Sequence, residues 1–184
     1  MSIQQRRERE RADRHRLIVA TARDLAEAEG WDAVTTRKLA QLVEYSQPVL
    51  YSHFKDRDAI VAAVAIEGFV ELTAQLHQAR TAHESPERAL RAFAETYLEF
   101  ARTRPALYDA MFLQPIGEAF NEAEPSFVEL VAALEPLIGA TDVETYAETV
   151  WCALHGIAAL TKGDRLRAGY EEARLDRLLE RFHV

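Results

Sequence analysis

The sequence predicts an all-α protein, and three observations carry that expectation. Apolar residues recur at spacings of three and four along most of the chain, no stretch alternates β-branched and polar residues as a strand would, and helix start and stop signals follow one another. Only 7 Gly and 6 Pro punctuate 184 residues, so long helical segments run uninterrupted. Hydrophobic residues make up 48% and charged residues 28%, enough apolar surface to bury a core. That length suits one compact unit, or two parts sharing a core.

Each element has a local cause. From about Asp13 to Glu29, Ile18, Ala22, Leu25 and Ala26 repeat at helical spacing, and Gly30-Trp31 predicts a left-handed stop with its hydrophobic contact. Thr35 caps a short helix over 36–43. Ser46 caps another, with Pro48 tolerated in its first turn because the amides there lack helical partners anyway. Asp56 caps a long helix from Arg57 to about His77, whose Ile60, Val64, Phe69, Leu72 and Leu76 face a core. Ser85-Pro86, an N-cap followed by proline, starts the fifth helix; Leu90, Phe93, Ala94, Tyr97, Leu98 and Ala101 repeat along it until Arg104-Pro105. Pro105 opens a short helix through Phe112, and the segment from Gln114 to Gly117 breaks the chain. A helix follows over about 125–138, with Pro136 distorting its end and Gly139 closing it. Thr141 and Glu144 form a capping-box pattern for a helix to about Lys162, stopped by Gly163. The last helix, 170–182, offers Ala173, Leu175, Leu178, Leu179 and Phe182 to a core.

Charge is unevenly divided. The chain carries 22 Lys/Arg against 30 Asp/Glu, a net of −8, yet residues 1–60 hold 11 of the basic and 10 of the acidic groups. The first sixteen residues alone place Arg6, Arg7, Arg9, Arg11, Arg14 and Arg16 against Glu8, Glu10 and Asp13, a basic arm whose plain reading is a frayed, solvated terminus. The single Cys152 excludes an internal disulfide framework and fits a reducing cytoplasm. No charge-free apolar run of 18 residues and no signal peptide are visible, so the expectation is a cytoplasmic chain without a membrane partner. No phosphate-cradling glycine loop, nucleophile elbow or zincin motif is present, so no catalytic residue and no cofactor is expected. Cys152 and His155 are too few for a closed metal site, and His15, His77, His83 and His183 read as solvated.

The segment 35–53 points to a function. Two short helices joined by a tight turn cannot build an independent core, and such a pair presents its second helix to a partner; in a helix-turn-helix that partner is the DNA major groove. Leu39, Ala40, Val43 and Leu50 are placed to pack inward, leaving Ser46, Gln47, Pro48, Val49, Tyr51, Ser52 and His53 outward. Gln47 and Ser52 have the chemistry to reach base edges and Val49 to touch a thymine methyl. Tyr51, His53, Lys55 and Arg57 are phosphate donors, as are Arg37, Lys38 and the helix N-terminus at Thr35 and Thr36.

Over its first 65 residues or so the sequence resembles the TetR-like transcriptional regulators. The resemblance rests on Gly30-Trp31, Thr35-Thr36-Arg37, Leu39-Ala40, Ser46, Leu50-Tyr51-Ser52-His53-Phe54 and Arg57. Three positions depart from the pattern: Glu44 stands at the turn glycine, Tyr45 before the recognition helix, and Ala26 where an aromatic is common. Trp151-Cys152-Ala153-Leu154-His155-Gly156 looks like the Trp-His-Gly element of one C-terminal subclass.

The resemblance implies a three-helix DNA-binding domain with its basic arm over 1–56. A helical bundle for effector binding and dimerisation follows over 57–184. It implies a homodimer through the last two long helices, a double-stranded DNA operator, and a small-molecule effector held between the fifth and eighth helices. Phe93, Tyr97, Phe100, Tyr108, Met111, Phe112, Phe127, Trp151 and His155 are the candidate pocket residues, mostly apolar with a few polar handles. The reading is a repressor on a palindromic operator. The competing reading, favoured by Glu44 and the acidic balance, is a helical small-molecule-binding protein or small enzyme whose helix-turn-helix does not read DNA.

Overall fold

The computed structural model describes residues 2–182; the side chain of Phe182, expected in the core, and His183 lie outside the described residues. Its elements are α1 (Ile3–Glu29), α2 (Thr36–Leu42), α3 (Gln47–Tyr51), α4 (Arg57–Thr81), α5 (Pro86–Thr103), α6 (Pro105–Phe112), α7 (Glu124–Ile138), α8 (Val143–Lys162) and α9 (Glu171–Leu179). Two 3-10 segments, Trp31–Ala33 and Gly117–Ala123, lie between helices, a third, Glu180–Phe182, follows α9, and no strand occurs among the described residues.

The elements divide into two compact units, one of residues 1–68 with 106–120 and the other of 69–105 with 121–184. By packing the division falls within α4, after residue 68. α4 contributes its first three turns to one unit and the rest to the other, and α6 belongs with the N-terminal helices. α4 is long and apolar enough by composition to cross a bilayer, but Ile60, Val64, Phe69, Leu72 and Leu76 are all buried within the protein.

In the first unit α1 begins at Ile3 rather than near Asp13. Ser2 and Gln5 close a reciprocal capping box, so the arginine-rich arm is helix and not a frayed tail. Gly30 ends it at φ 83°, ψ 165°, a region open to glycine but not the left-handed helical well expected. The amides of Ala106 and Leu107 donate to the two oxygens of Glu27 at 3.1 and 3.0 Å, capping the start of α6 just where Pro105 has no N–H to give. The buried Trp31 indole donates to the Ala106 carbonyl at 2.7 Å. Gly68 lies so close to α6 that a Cβ there would stand 2.6 Å from Met111 Sδ.

α2 closes on a Schellman turn: Tyr45 N–H donates to the Ala40 carbonyl at 2.9 Å and Glu44 N–H to that of Gln41 at 3.3 Å. Glu44 sits at φ 57°, the left-handed position that glycine fills without strain. Glu44→Gly is therefore expected to raise stability by about 0.5–1 kcal/mol, read as a higher urea midpoint at unchanged slope. A lower midpoint would show that the Glu44 side chain contributes more than its backbone costs.

In the second unit α5, α7 and α8 pack on one another around Leu90, Phe93, Tyr97, Phe100, Leu134 and Leu154. Thr73 and Ser126 share a hydrogen bond of 2.7 Å, and Glu129 takes His77 Nδ1 at 2.9 Å and Arg80 Nε at 2.8 Å, fastening α4 to α7. Burial alone would raise the Glu129 pKa; the bonds from Arg80 and His77 outweigh it and hold the carboxyl below its ordinary value. The capping box expected from Thr141 and Glu144 does not form. Asp142 stands at the N-cap of α8 in a left-handed conformation (φ 60°) with no side-chain cap bond.

Candidate functional site

The five-residue α3 cannot hold itself. Leu50, fully buried, anchors it from below, and Phe54, 5% exposed, closes its end with its ring 4.5 Å from that of His15 on α1. The amides of Ser52, His53 and Phe54 return to the carbonyls of Pro48, Val49 and Leu50. Arg11 Nη2 donates to the Ser52 carbonyl at 3.3 Å, so the arm helix braces α3 from the side. On top, Ser46, Gln47, Pro48, Tyr51, Ser52 and Lys55 are exposed, while Val49 and His53 are half-buried. Tyr51 Oη lies 3.3 Å from Thr36 Oγ1, joining the exposed faces of α2 and α3. Ser52 Oγ donates to the Val49 carbonyl at 2.6 Å.

The N-terminus of α2 lies beside this face. Thr35 Oγ1 caps it by accepting Lys38 N–H at 3.2 Å, and Thr35 and Arg37 are exposed. Two of the expected phosphate donors are engaged otherwise. Lys38 Nζ pairs with Glu29 Oε2 at 2.6 Å. Arg57 turns inward, its Nε donating to the Val34 carbonyl at 3.0 Å and Nη2 to that of Trp31 at 2.8 Å, and so ties the start of α4 to the turn after α1. What remains is an outward set of amide, hydroxyl, phenol and cationic groups on a helix pair, able to donate hydrogen bonds to base edges and phosphates. Glu44 is exposed on the turn between them.

The nine expected pocket residues fall in both units. Phe93, Tyr97, Phe100, Phe127, Trp151 and His155 belong to the second, where Trp151 Nε1 donates to Tyr97 Oη at 3.3 Å and the Phe127 and Trp151 rings are 6.1 Å apart. Tyr108, Met111 and Phe112 belong to the first, with the Tyr108 and Phe112 rings at 4.8 Å. Phe93, Tyr97, Phe100, Tyr108 and Met111 are buried; the other four are half-buried. No three His, Cys, Asp or Glu side chains converge on a metal position among the described residues.

Two family models match the sequence. Residues 18–64 match the bacterial regulatory proteins of the tetR family, and residues 90–182 match the tetracyclin repressor-like C-terminal domain, half of the chain by itself. The chain belongs to the TetR family. YobS of Bacillus subtilis, an HTH-type transcriptional regulator, is 29% identical to this TetR-family chain over 119 residues, 65% of the chain and 62% of YobS. The chain thus spans less than two thirds of that relative's length. The class D tetracycline repressor of Escherichia coli is 42% identical over 50 residues, 27% of the chain and 23% of the repressor. A structure from Rhodococcus sp. RHA1, of a protein with unknown function, superposes with TM-score 0.80 at 25% identity, covering 91% of this chain and 92% of that one.

The bracing contacts of three residues of this TetR-family chain, Glu27, Arg11 and the inward Arg57, are not visible in the sequence, because each meets its partner at least 23 positions away. Two histidines are held below the ordinary imidazole range. Burial is the largest cause for His53, with Arg11, His15 and Arg14 adding to it, and burial lowers His155. The folded state thus prefers both neutral. Just below pH ~6.5 the unfolded chain binds more protons, so their contribution to stability is full above that value and declines as pH falls through it. The urea midpoint is expected to drop between pH 7.5 and 5.5, and the double variant His53→Asn/His155→Gln to flatten that drop. An equal slope in the variant would move the cause to other groups.

Proposed function

We propose that this chain is a sequence-specific transcriptional repressor that binds a palindromic DNA operator as a homodimer and is released by a small-molecule effector. The observation that carries the reading is the α2–α3 pair: a buried Leu50 and a Schellman turn hold Ser46, Gln47, Tyr51 and Ser52 outward on one face. At 1.5 Å per residue α3 is only about 7.5 Å long, so one copy reads a few base pairs and two are needed for a usable site. In this reading Gln47 and Ser52 read bases, and Tyr51, Lys55, Arg37 and the amides at Thr35 and Thr36 hold phosphates. The arm adds Arg7 and Arg9.

The second copy is taken to dock on α8, where Thr145, Thr149, Cys152, Gly156 and Gly163 form one small-residue face and nothing lies within 4 Å of a Cβ built at Gly156. The effector site is the aromatic group of Phe93, Tyr97, Phe100, Phe127, Trp151 and His155, all within the second unit. The likeness of 151–156 to a Trp-His-Gly element fits that assignment. Release requires an effector that prefers the arrangement unable to bind DNA; equal affinity for both shifts nothing. DNA binding and release place the chain in the cytoplasm, with no catalytic role.

Selection from a randomised duplex library tests the reading. A palindromic site is expected, with affinity falling at least tenfold in Gln47→Ala or Tyr51→Ala. Arg7→Gln/Arg9→Gln should weaken binding to all sequences and flatten its salt dependence. Retention of random sequence alone at every salt concentration would reject sequence-specific reading and leave the helical ligand-binding protein.

A further inference from the structure

Where α1 passes the end of α3, two imidazoles and two guanidinium groups gather beside Ser52. The His15 ring, on α1, lies on Phe54 with centroids 4.5 Å apart, and the His53 ring stands 6.3 Å from that of His15. Both histidines are half-buried, while Arg11 and Arg14 are exposed on the same stretch of α1. An arginine carries five N–H donors, and the bond from Arg11 to the Ser52 carbonyl uses one.

The carboxylates of the surrounding elements are turned to other cations. Glu10 lies 2.8 Å from Arg6 and 3.9 Å from Arg14, Asp13 binds Arg16, and Asp56 lies 3.8 Å from Lys55. Asp58 lies 3.7 Å from Arg57, whose Nε and Nη2 donate to the Val34 and Trp31 carbonyls. The charged groups acting on His53 are Arg11, His15 and Arg14, all basic, and they add to burial, the larger effect, in favouring the neutral ring. A cluster of one sign, kept from charging by its own members, is completed by an anion. A phosphate oxygen seated there reverses the local field and favours the imidazolium. A ring separation of 6.3 Å lets one phosphate group accept from both histidines, at about 2.7–3.2 Å per hydrogen bond.

We propose that the corner between His15 and His53 seats one phosphodiester of the duplex and takes up a proton on doing so, so that the chain binds DNA more tightly as pH falls. This rests on the reading of α2 and α3 as a DNA-binding face and deepens it, adding His15 of α1 as a backbone contact. The sign follows from linkage. The bound state holds more protons than the free state between their two imidazole pKa values, so affinity rises as pH falls through that window and levels off on either side. The trend runs opposite to the stability of the free chain, which declines over the same range.

Fluorescence anisotropy of the full chain tests this on two labelled duplexes, one retained from the randomised library and one of scrambled sequence, at constant ionic strength. Affinity is expected to rise about fivefold as pH falls by about two units from the point where both rings are neutral. The double variant His53→Asn/His15→Gln should flatten the rise to less than twofold, and His83→Gln, exposed on the link after α4, should leave it intact. Because His53 is half-buried and its replacement risks the packing, NMR titration of the imidazoles in the unaltered chain gives a second reading. Adding duplex should move the His53 midpoint up by about one pH unit, and millimolar inorganic phosphate by much less. Sequence-selective binding that is flat in pH, a rise that survives in the double variant, or a His53 midpoint unmoved by duplex would overturn the proposal and leave the DNA-binding reading standing. Binding without sequence preference that strengthens through the two histidines would keep the proposal and reject the operator reading. Binding of neither duplex at any pH would overturn both, and an equal shift with inorganic phosphate would overturn the duplex as the ligand in favour of a free anion.

Discussion

Trp31→Ala is expected to lower the stability of the first unit by about 3–5 kcal/mol. The indole is 6% exposed and does two things at once. It fills volume between elements that are distant in sequence, and its N–H satisfies the Ala106 carbonyl at 2.7 Å. Alanine removes both, leaving a cavity and a buried carbonyl without that donor, so the transfer and desolvation costs add. Trp31→Phe separates them. It keeps most of the ring and loses only the donor, with an expected cost of about 1–3 kcal/mol. Urea unfolding of both variants checks this, and a Trp31→Ala loss below 1 kcal/mol would contradict the bracing role given to Trp31.

For the homodimer proposed above, Gly156→Arg is expected to leave a monomer and to weaken operator binding roughly 100-fold or more, since losing one half-site removes contacts worth about 1–3 kcal/mol each. Within one chain the substitution has room, because nothing lies within 4 Å of a Cβ at Gly156. Its effect therefore reports on the second copy rather than on folding. Sedimentation read beside thermal unfolding separates the two: monomer mass with an unchanged transition supports docking on this face of α8, and a persistent dimer would move the interface elsewhere.

Most helices were legible because their causes are local. Ser85-Pro86 starts α5, Asp56 caps α4 through the Ala59 amide at 2.8 Å, and Leu39, Ala40, Val43 and Leu50 turn inward as their spacing requires. Signals that rest on a single pattern were weaker. Thr141 and Glu144 have the residue types of a capping box, yet Asp142 takes the cap position in a left-handed turn that sequence types do not reveal. For the candidate site, the exposed residues of α3 were readable from two short helices and a turn. The engagement of Arg57 with backbone carbonyls was not, since a cation after a recognition helix looks the same whether it faces phosphate or the Val34 carbonyl.

The first unit is discontinuous: it takes residues 106–120 as well as 1–68, and Glu27, Trp31 and Gly68 all meet that second piece. A DNA-reading head cut after residue 56 and grafted onto another member's body would arrive without the segment its own side chains grip, and α4 would be severed at its first residue. Chimaeras that exchange operator preference are expected to behave as folded proteins only when 106–120 travels with the head, or when the recipient supplies a carbonyl for Trp31 and two amides for Glu27. Swapping operator specificity between such proteins is thus a transplant of two separate stretches of gene, and one crossover cannot deliver it.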